Sequence, residues 1–371
     1  MLEGIINDVR NEKETAPAPK DGASAAQPTQ AASPAEIEEN SAVRIAVVGV
    51  GGAGCNAVSR LTNEGIKSAR TIALNTDKLH LDMIKAHQKH LLGRAVTKGL
   101  GSGGDPSIGA KAADADKDKL RKLIGENEIV FVCAGMGGGT GTGAAPIVAQ
   151  IAKEQGATVI GVVTYPFKIE RSRMHKARTG LKNLMKEADT VIVVENDRLV
   201  KYAPNLPLDK AFALADEITN KAVRGISDLI VLPSMMNVDY ADVKAVMKNG
   251  GLAMISIGKG SGKGMDMVEE TVKSTRYSPL IGVPLEGAKG ALLHVEGGSN
   301  LSLGDATRIC EGVSADFDND ADIKMGARIN ESLGNSVEVI AVVTGVSAPY
   351  LFGDEPQREK QEMVMESIIA F

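Results

Sequence analysis

The stretch Ala134-Gly135-Met136-Gly137-Gly138-Gly139-Thr140-Gly141-Thr142-Gly143 decides the fold. It follows an apolar run, Glu128 to Ala134, and precedes a helical pattern from Ala144. A run that is apolar on both faces reads as a parallel strand buried between helices. Between strand and helix, the five glycines and two hydroxyls of residues 137–143 set out a nest of N–H donors for one polyanion. Glycine loses more freedom on ordering than any other residue, so a purely structural turn would hardly tolerate that density. The pattern is that of a phosphate-binding α/β domain.

Working outward, Val43 to Val50, Thr71 to Asn75, Thr158 to Thr164 and Thr190 to Glu195 repeat the buried-strand pattern, alternating with helical spacing. Together they predict a doubly wound α/β domain. The first strand runs into Gly49, Gly51 and Gly54 in G-x-G-x-x-G order, with Asp77 about where a dinucleotide ribose acid would stand. Alone, that loop leaves a dinucleotide cofactor and another nucleotide equally open. A third flexible loop, Gly99-Leu100-Gly101-Ser102-Gly103-Gly104-Asp105-Pro106, lies on the same side of the sheet, and three such loops suit a triphosphate better than a pyrophosphate. The G-x-x-x-x-G-K-[ST] loop of ATPases is absent: Gly262-Lys263 is followed by Gly264, and Gly258 to Gly264 reads as a surface turn.

Leu208 to Gly225 predicts a long helix with Gly225 at its C-cap. A second set of strands follows, near Leu229 and over Leu252 to Gly258, Leu292 to Glu296, Ile323 to Ile329 and Val337 to Thr344, implying a smaller α+β domain. The expected organisation is an N-terminal arm over 1–41, a nucleotide-binding domain over 42–207, a core helix over 208–226, an α+β domain over 227–346 and a tail over 347–371. In the arm, Leu2, Ile5, Ile6 and Val9 share one helical stripe, and the Ala/Pro/Ser/Gln-rich residues 15–35 read as a disordered linker. The arm holds eight acids against three bases, which accounts for the net charge of −5 over 371 residues. Such a balance offers no basic field for nucleic acid. Cys55, Cys133 and Cys310 are too scattered for a disulfide framework or metal knuckle and fit a reducing cytoplasm, and no apolar run is long enough to span a membrane. The five histidines, His80, His87, His90, His175 and His294, have no ligand or triad spacing and read as surface residues.

The run Gly137 to Gly143 resembles the signature of the tubulin superfamily, and with Ala144-Ala145-Pro146 it resembles the FtsZ family of prokaryotic cell-division GTPases, with an archaeal flavour. The resemblance spans Arg44 to Gly345. It implies a Rossmann-like GTPase domain, a long core helix and an α+β activation domain, with GTP or GDP and Mg²⁺ as ligands. By the same resemblance, Gly51, Gly52, Ala53, Gly54, Cys55 and Asn56 cradle phosphates. Asn75 and Asp77 lie beside the phosphate and Mg²⁺ region, with no dedicated metal ligands. Gly101, Ser102, Gly103 and Gly104 face the γ-phosphate, and Gly137, Gly138, Gly139, Thr140, Gly141, Thr142 and Gly143 hold the α- and β-phosphates.

Tyr165-Pro166-Phe167-Lys168-Ile169-Glu170-Arg171-Ser172-Arg173-Met174 resembles the family segment that touches ribose and phosphate, giving Pro166, Glu170 and Arg173, although the spacing is one residue short and leaves Arg171 open. Asn196 resembles the guanine-contacting Asn, Phe212 would stack on the base, and Asp216 would accept from guanine N1–H and the 2-amino group. On residue type alone, the preferred reading makes Phe212 a core residue and Asp216 a solvated helix acid.

No general base stands among the nucleotide loops. Met236-Asn237-Val238-Asp239-Tyr240-Ala241-Asp242 opens a helical pattern in which Asp239 fits an N-cap and Asp242 a first-turn acid. It also resembles the family's catalytic loop, which lies at the far end of the subunit and implies that Asn237, Asp239 and Asp242 act on a neighbour's GTP. Head-to-tail filaments with hydrolysis coupled to assembly follow. The resemblance further implies a cytoplasmic protein at the division site, a membrane-anchor partner for Met363 to Phe371, and a paralogue as candidate co-assembler. The rivals are an NAD-type oxidoreductase and a polymerising scaffold without useful catalysis.

Overall fold

In the computed structural model, the described residues are 43–202, 208–232, 234–248 and 250–353. The helical stripe of Leu2 to Val9, the linker and the segment Met363 to Phe371 lie outside them.

The described strands form one ten-stranded sheet: β1 Ile45–Val50, β2 Arg70–Asn75, β3 Gln88–Leu91, β4 Ile129–Gly135, β5 Thr158–Tyr165, β6 Thr190–Glu195, β7 Gly251–Ser261, β8 Gly290–Gly297, β9 Asp322–Ile329 and β10 Ser336–Thr344. Their order is β3-β2-β1-β4-β5-β6-β7-β10-β8-β9. All neighbours from β3 to β6 pair in parallel, as expected for strands joined through helices. The order reverses between β1 and β4, the topological switch point outside which open α/β sheets bind ligands. Val50 stands opposite Ala134 there, so the first two glycine loops leave the sheet side by side.

β7 joins β6 in parallel, and β10 lies antiparallel between β7 and β8. The mixed portion thus continues the same sheet. Apolar layers cover both faces: Val48, Val50, Val132 and Val163 pack on one, and Val47, Phe131, Ile160 and Ile192 on the other.

Three local readings are corrected. The core helix runs Leu208–Val231, past Gly225. A Cβ at Gly225 would stand 3.0 Å from Ile340 Cδ1 on β10, so this glycine lets helix and sheet approach and does not end the helix. Leu229 accordingly lies in the helix and not in a strand; it continues the buried stripe Leu214, Ile218, Ala222, Val223 and Ile226. Gly258 and Gly260 belong to β7, where a side chain would collide with Thr275 and Thr271, so the surface turn is confined to 262–264.

The core helix fixes the long axis. At about 1.5 Å per residue its 24 residues span roughly 36 Å. Near its start, Phe212 meets Phe167 edge-on, ring centroids 5.7 Å apart, just beyond the C-terminal end of β5. Beyond its end, the Tyr240 hydroxyl lies 3.2 Å from Glu128 O and 3.2 Å from Thr158 Oγ1, at the N-terminal ends of β4 and β5. The helix therefore carries the chain from one end of the sheet to the other.

Candidate functional site

The glycine loops divide by what a side chain would meet. At Gly54, Gly139 and Gly143 an added Cβ would run into Cys133 O, Ser102 Oγ and Pro106 O, and at Gly141 it would stand 2.7 Å from Gly135 O. These glycines let backbone segments touch. Gly103 has open space around it but a φ of +59°, which already calls for glycine; at Gly52 and Gly138 neither a positive φ nor any atom within 4 Å does. Packing does not account for them, and they line free space above the β1/β4 crevice, where backbone N–H groups are open to a polyanion.

Hydroxyls lock the loops together. Thr140 Oγ1 lies 2.6 Å from Thr76 Oγ1 and 3.0 Å from Ser102 Oγ, and Thr142 Oγ1 accepts from Gly137 N at 2.9 Å. Gly101 N donates to Thr76 O at 3.1 Å, Asp77 forms an isolated bridge to Leu100, and Lys176 Nζ donates to Gly104 O at 2.6 Å. Asp77 also accepts from His80 N, capping the helix Lys78–Met83.

His80 is not the plain surface residue expected: its Nδ1 lies 3.1 Å from Asn75 Nδ2 and its Nε2 3.1 Å from Asn56 Oδ1, so it bridges two sequence-predicted phosphate residues. His294 is buried. Cys55 contributes no side chain to the loop surface; its thiol is buried, points to Gly49 O and Leu74 O, and is pushed up to about 12 by burial. Only its backbone and that of Ala53 can serve a ligand. Among the described residues, no group of three or more His, Cys, Asp or Glu side chains could hold a metal ion.

Next to these loops, Pro166 and Phe167 are buried, and Glu170 Oε1 accepts from Phe167 N at 3.1 Å. Arg173 Nη1 lies 2.6 Å from Glu170 Oε2, and a Cβ at Gly137 would stand 2.9 Å from Arg173 Cβ. Arg173 is thereby set against the signature loop. Lys168 N donates to the Asp197 carboxylate at 3.0 and 3.1 Å, tying this segment to Asn196. Asn196 is 6% exposed, and its Oδ1 is buried with no hydrogen-bond partner. An orphaned acceptor next in the chain to Asp197, which holds the amide following Phe167, fits a group that donates N–H.

Asp216, one turn after Phe212, lines a crevice with Ala53, Gly54, Ala57, Thr164 and Thr219. Burial pushes its carboxyl up to about 7, against the attraction of Arg60. Asp216 is half-buried along this crevice and not a fully solvated helix acid, while Phe212 is 42% exposed and not a core residue. Because the folded carboxyl titrates near 7 and the unfolded one near 3.8, the folded state holds the extra proton between those values. Stability of the nucleotide-free protein should therefore fall as pH rises from about 4 to 7 and level off above. Asp216→Asn should flatten that part of the profile, measured as melting temperature against pH.

Asn237, Asp239 and Asp242 are not brought to this site. Asp239 and Asp242 flank Tyr240 at the opposite end of the sheet, where Asp239 Oδ1 accepts from Asp242 N at 2.8 Å as the N-cap of the helix Tyr240–Met247, and Asn237 leads into them from Met236, which pairs with Ala327 of β9. Asp242 pairs with Lys324 at 3.1 Å, and Asn237 Oδ1 accepts from Ser234 N at 2.9 Å. Asn237 and Asp239 are exposed and Asp242 is half-buried. The carboxylates thus face outward from the end remote from their own nucleotide loops.

Comparison with known proteins gives the family. The model for the Tubulin/FtsZ family, GTPase domain, matches residues 44–204, and that for the FtsZ family, C-terminal domain, matches 251–347. The chain is 49% identical over 325 residues to cell division protein FtsZ 2 of Methanocaldococcus jannaschii, covering 87% of this chain and 85% of that protein. It is 47% identical over 316 residues to FtsZ 2 of Halobacterium salinarum, covering 85% and 80%. Among solved structures it resembles an FtsZ dimer from M. jannaschii with a TM-score of 0.79 at 45% identity, covering 84% of this chain and 91% of that one. The open glycines of the β1/β4 crevice and these matches converge on one assignment: the chain is a GTPase that belongs to the tubulin/FtsZ family.

Proposed function

We propose that this protein is a GTP-dependent, self-assembling filament former of cell division, in which the Asp loop of one subunit completes hydrolysis on the GTP of the next. The observation that carries it is the separation of the two halves of the chemistry: nucleotide loops at the C-terminal ends of β1 to β6, Asn237, Asp239 and Asp242 at the N-terminal ends of β4 and β5. A pocket and an outward-facing set of carboxylates at opposite poles form a heterologous contact that repeats without closing. The cell-division names of the relatives and the dimeric M. jannaschii structure support it.

In this reading Gly51, Gly52, Gly54, Asn56, Gly101 to Gly104 and Gly137 to Gly143 cradle the phosphates, Glu170 and Arg173 hold ribose and phosphate, and Asn196, Phe212 and Asp216 take guanine. Mg²⁺ would enter with the phosphates on the Asp77 side and offset their charge. Asp239 and Asp242 orient and polarise the water for in-line attack, and Asn237 shapes their loop. Loss of the γ-phosphate then changes the charge and shape of the group spanning the contact and loosens it. The tail beyond Gly353 engages a membrane-anchor protein at the division site, and a paralogue is a candidate co-assembler.

The concentration dependence of turnover tests this reading. GTP hydrolysis per molecule should fall steeply below the assembly threshold, and a constant specific rate in strictly monomeric protein overturns it. Guanine binding should also depend on pH. Since Asp216 must be ionised to accept two N–H groups, GDP affinity should rise up to about tenfold per pH unit below 7 and flatten above. An Asp216→Asn chain should bind weakly and without that slope in a fluorescence titration.

A further inference from the structure

The chain after the last strand folds back onto the nucleotide end of the sheet. Pro349–Phe352 makes one turn of 3₁₀ helix in which Tyr350 and Leu351 are buried. The Tyr165 hydroxyl donates to Leu351 O at 3.0 Å, and Lys182 Nζ stands 5.8 Å from the Phe352 ring centroid. Residues 349–352 are thus strapped to β5 and to the helix Arg171–Glu187, the two elements that bracket Pro166, Phe167 and Glu170.

The central contact is buried. The Tyr350 hydroxyl donates to Glu195 Oε1 at 2.6 Å across 155 residues of sequence. Arg198 Nε approaches the same oxygen at 3.4 Å, and its Nη2 donates to Gly282 O at 2.9 Å. A side chain at Gly282 would fall onto Tyr350, Glu195 and Arg198, so that position is filled by their contact. Tyr350 is 8% and Glu195 7% exposed, and burial keeps the phenol protonated far above its usual range, so it remains a donor. Glu195 ends β6, and Asn196, with its orphaned buried Oδ1, follows directly. A carboxylate oxygen held by both a phenol and a guanidinium fixes the side chain of Glu195, the residue directly before Asn196.

We propose that Tyr350 is a positioning residue for the nucleotide base: through Glu195 it sets the side chain of Asn196, which makes the strap between the last strand and the C-terminal tail a part of the guanine site. The proposal rests on the assignment of Asn196 to guanine made above. Coupling of this kind is reciprocal, so bound nucleotide tightens the strap as the strap sharpens nucleotide binding.

The experiment is a fluorescent-GDP titration of the full chain below its assembly threshold, comparing the unmodified chain, Tyr350→Phe, Asn196→Ala and the double variant. Tyr350→Phe keeps the ring and its packing and removes the donor. It should weaken GDP binding by about tenfold, the size of a lost hydrogen bond to a charged acceptor. That loss should vanish in the Asn196→Ala background, because the two residues act in series. Hydrogen exchange gives a second readout: GDP should raise protection at the Leu351 and Gly353 amides, which donate to Ala348 O and Tyr350 O, and should not do so in Tyr350→Phe. Unchanged GDP affinity in Tyr350→Phe with weakened binding in Asn196→Ala overturns the proposal and leaves the guanine assignment standing, as do additive losses in the double variant. Unchanged affinity in Asn196→Ala overturns the guanine assignment itself. Should Tyr350→Phe fail to fold, Glu195→Gln, which weakens the same grip with little change of shape, takes its place in the cycle.

Discussion

A chain carrying Asp242→Asn is expected to bind GTP and assemble like the unmodified protein, yet to turn GTP over at least about a hundredfold more slowly, the usual loss when a positioned general base is removed. The structure makes this a clean substitution. Asp242 is half-buried, caps nothing, and its ion pair with Lys324 is of the surface kind, worth no more than about 1 kcal/mol. Asp239→Asn is a useful companion, because Asn accepts the Asp242 N–H as readily as Asp does and the helix keeps its cap. A mixing experiment then separates action in trans from action in cis. Asp242→Asn chains retain a nucleotide pocket, and chains unable to bind nucleotide retain an Asp loop. Because contacts form over nucleotide-filled pockets, which only the Asp242→Asn chains supply, about half of the contacts in a random equal mixture join an intact pocket to an intact loop, so phosphate release should reappear although neither component has activity. Continued silence of the mixture, with filaments visible by pelleting, would rule out catalysis across the contact.

The second large effect separates two kinds of glycine within one loop. Gly138→Ala should fold with its melting temperature nearly unchanged, since its new methyl group meets no protein atom within 4 Å, and should lose nucleotide affinity on the order of a hundredfold by occupying the phosphate's place. Gly143→Ala should do the reverse. Its methyl group would press into Pro106 O and stand 2.7 Å from Ala110 N, backbone atoms of a helix that cannot give way singly. Overpacking of this sort costs about 1–3 kcal/mol or more, so the variant should melt lower even without ligand. Thermal melts with and without GDP distinguish the two: ligand should raise the melting temperature of Gly143→Ala and leave that of Gly138→Ala unmoved. Equal behaviour of the two variants would mean that residues 137–143 do not divide into a ligand-facing and a packing set.

The Tyr350 proposal changes the meaning of the segment after β10. Its residues read from sequence as the root of an exposed tail, yet Tyr350 and Leu351 are as buried as the core. Any partner that pulls on the chain beyond Gly353 acts on a strap whose other face is Glu195, one residue from Asn196, the residue assigned above to guanine.

What the sequence determined by itself is whatever a short window encodes. Two-sided apolar runs mark β1, β4, β5 and β6, because a strand covered by helices on both faces must be apolar throughout. The glycine density of 137–143 marks a loop to which something comes close, because that entropy cost calls for compensating contacts, whether from a neighbouring backbone or from a ligand. Only the tertiary structure decided the rest. Gly225 has a C-cap's local chemistry, but close packing under Ile340 carries the helix six residues further. Whether a glycine faces a ligand or a neighbouring backbone, whether His80 bridges Asn56 and Asn75, and whether Tyr350 reaches Glu195 all depend on strand order, which brings distant segments together and leaves no periodic trace in either. The same holds for the polarity of the molecule. Asp239 and Asp242 lie 23 and 26 residues after Asp216 in the chain, yet a helix of roughly 36 Å carries the chain between them to the opposite end of the sheet, a separation that no local sequence pattern encodes.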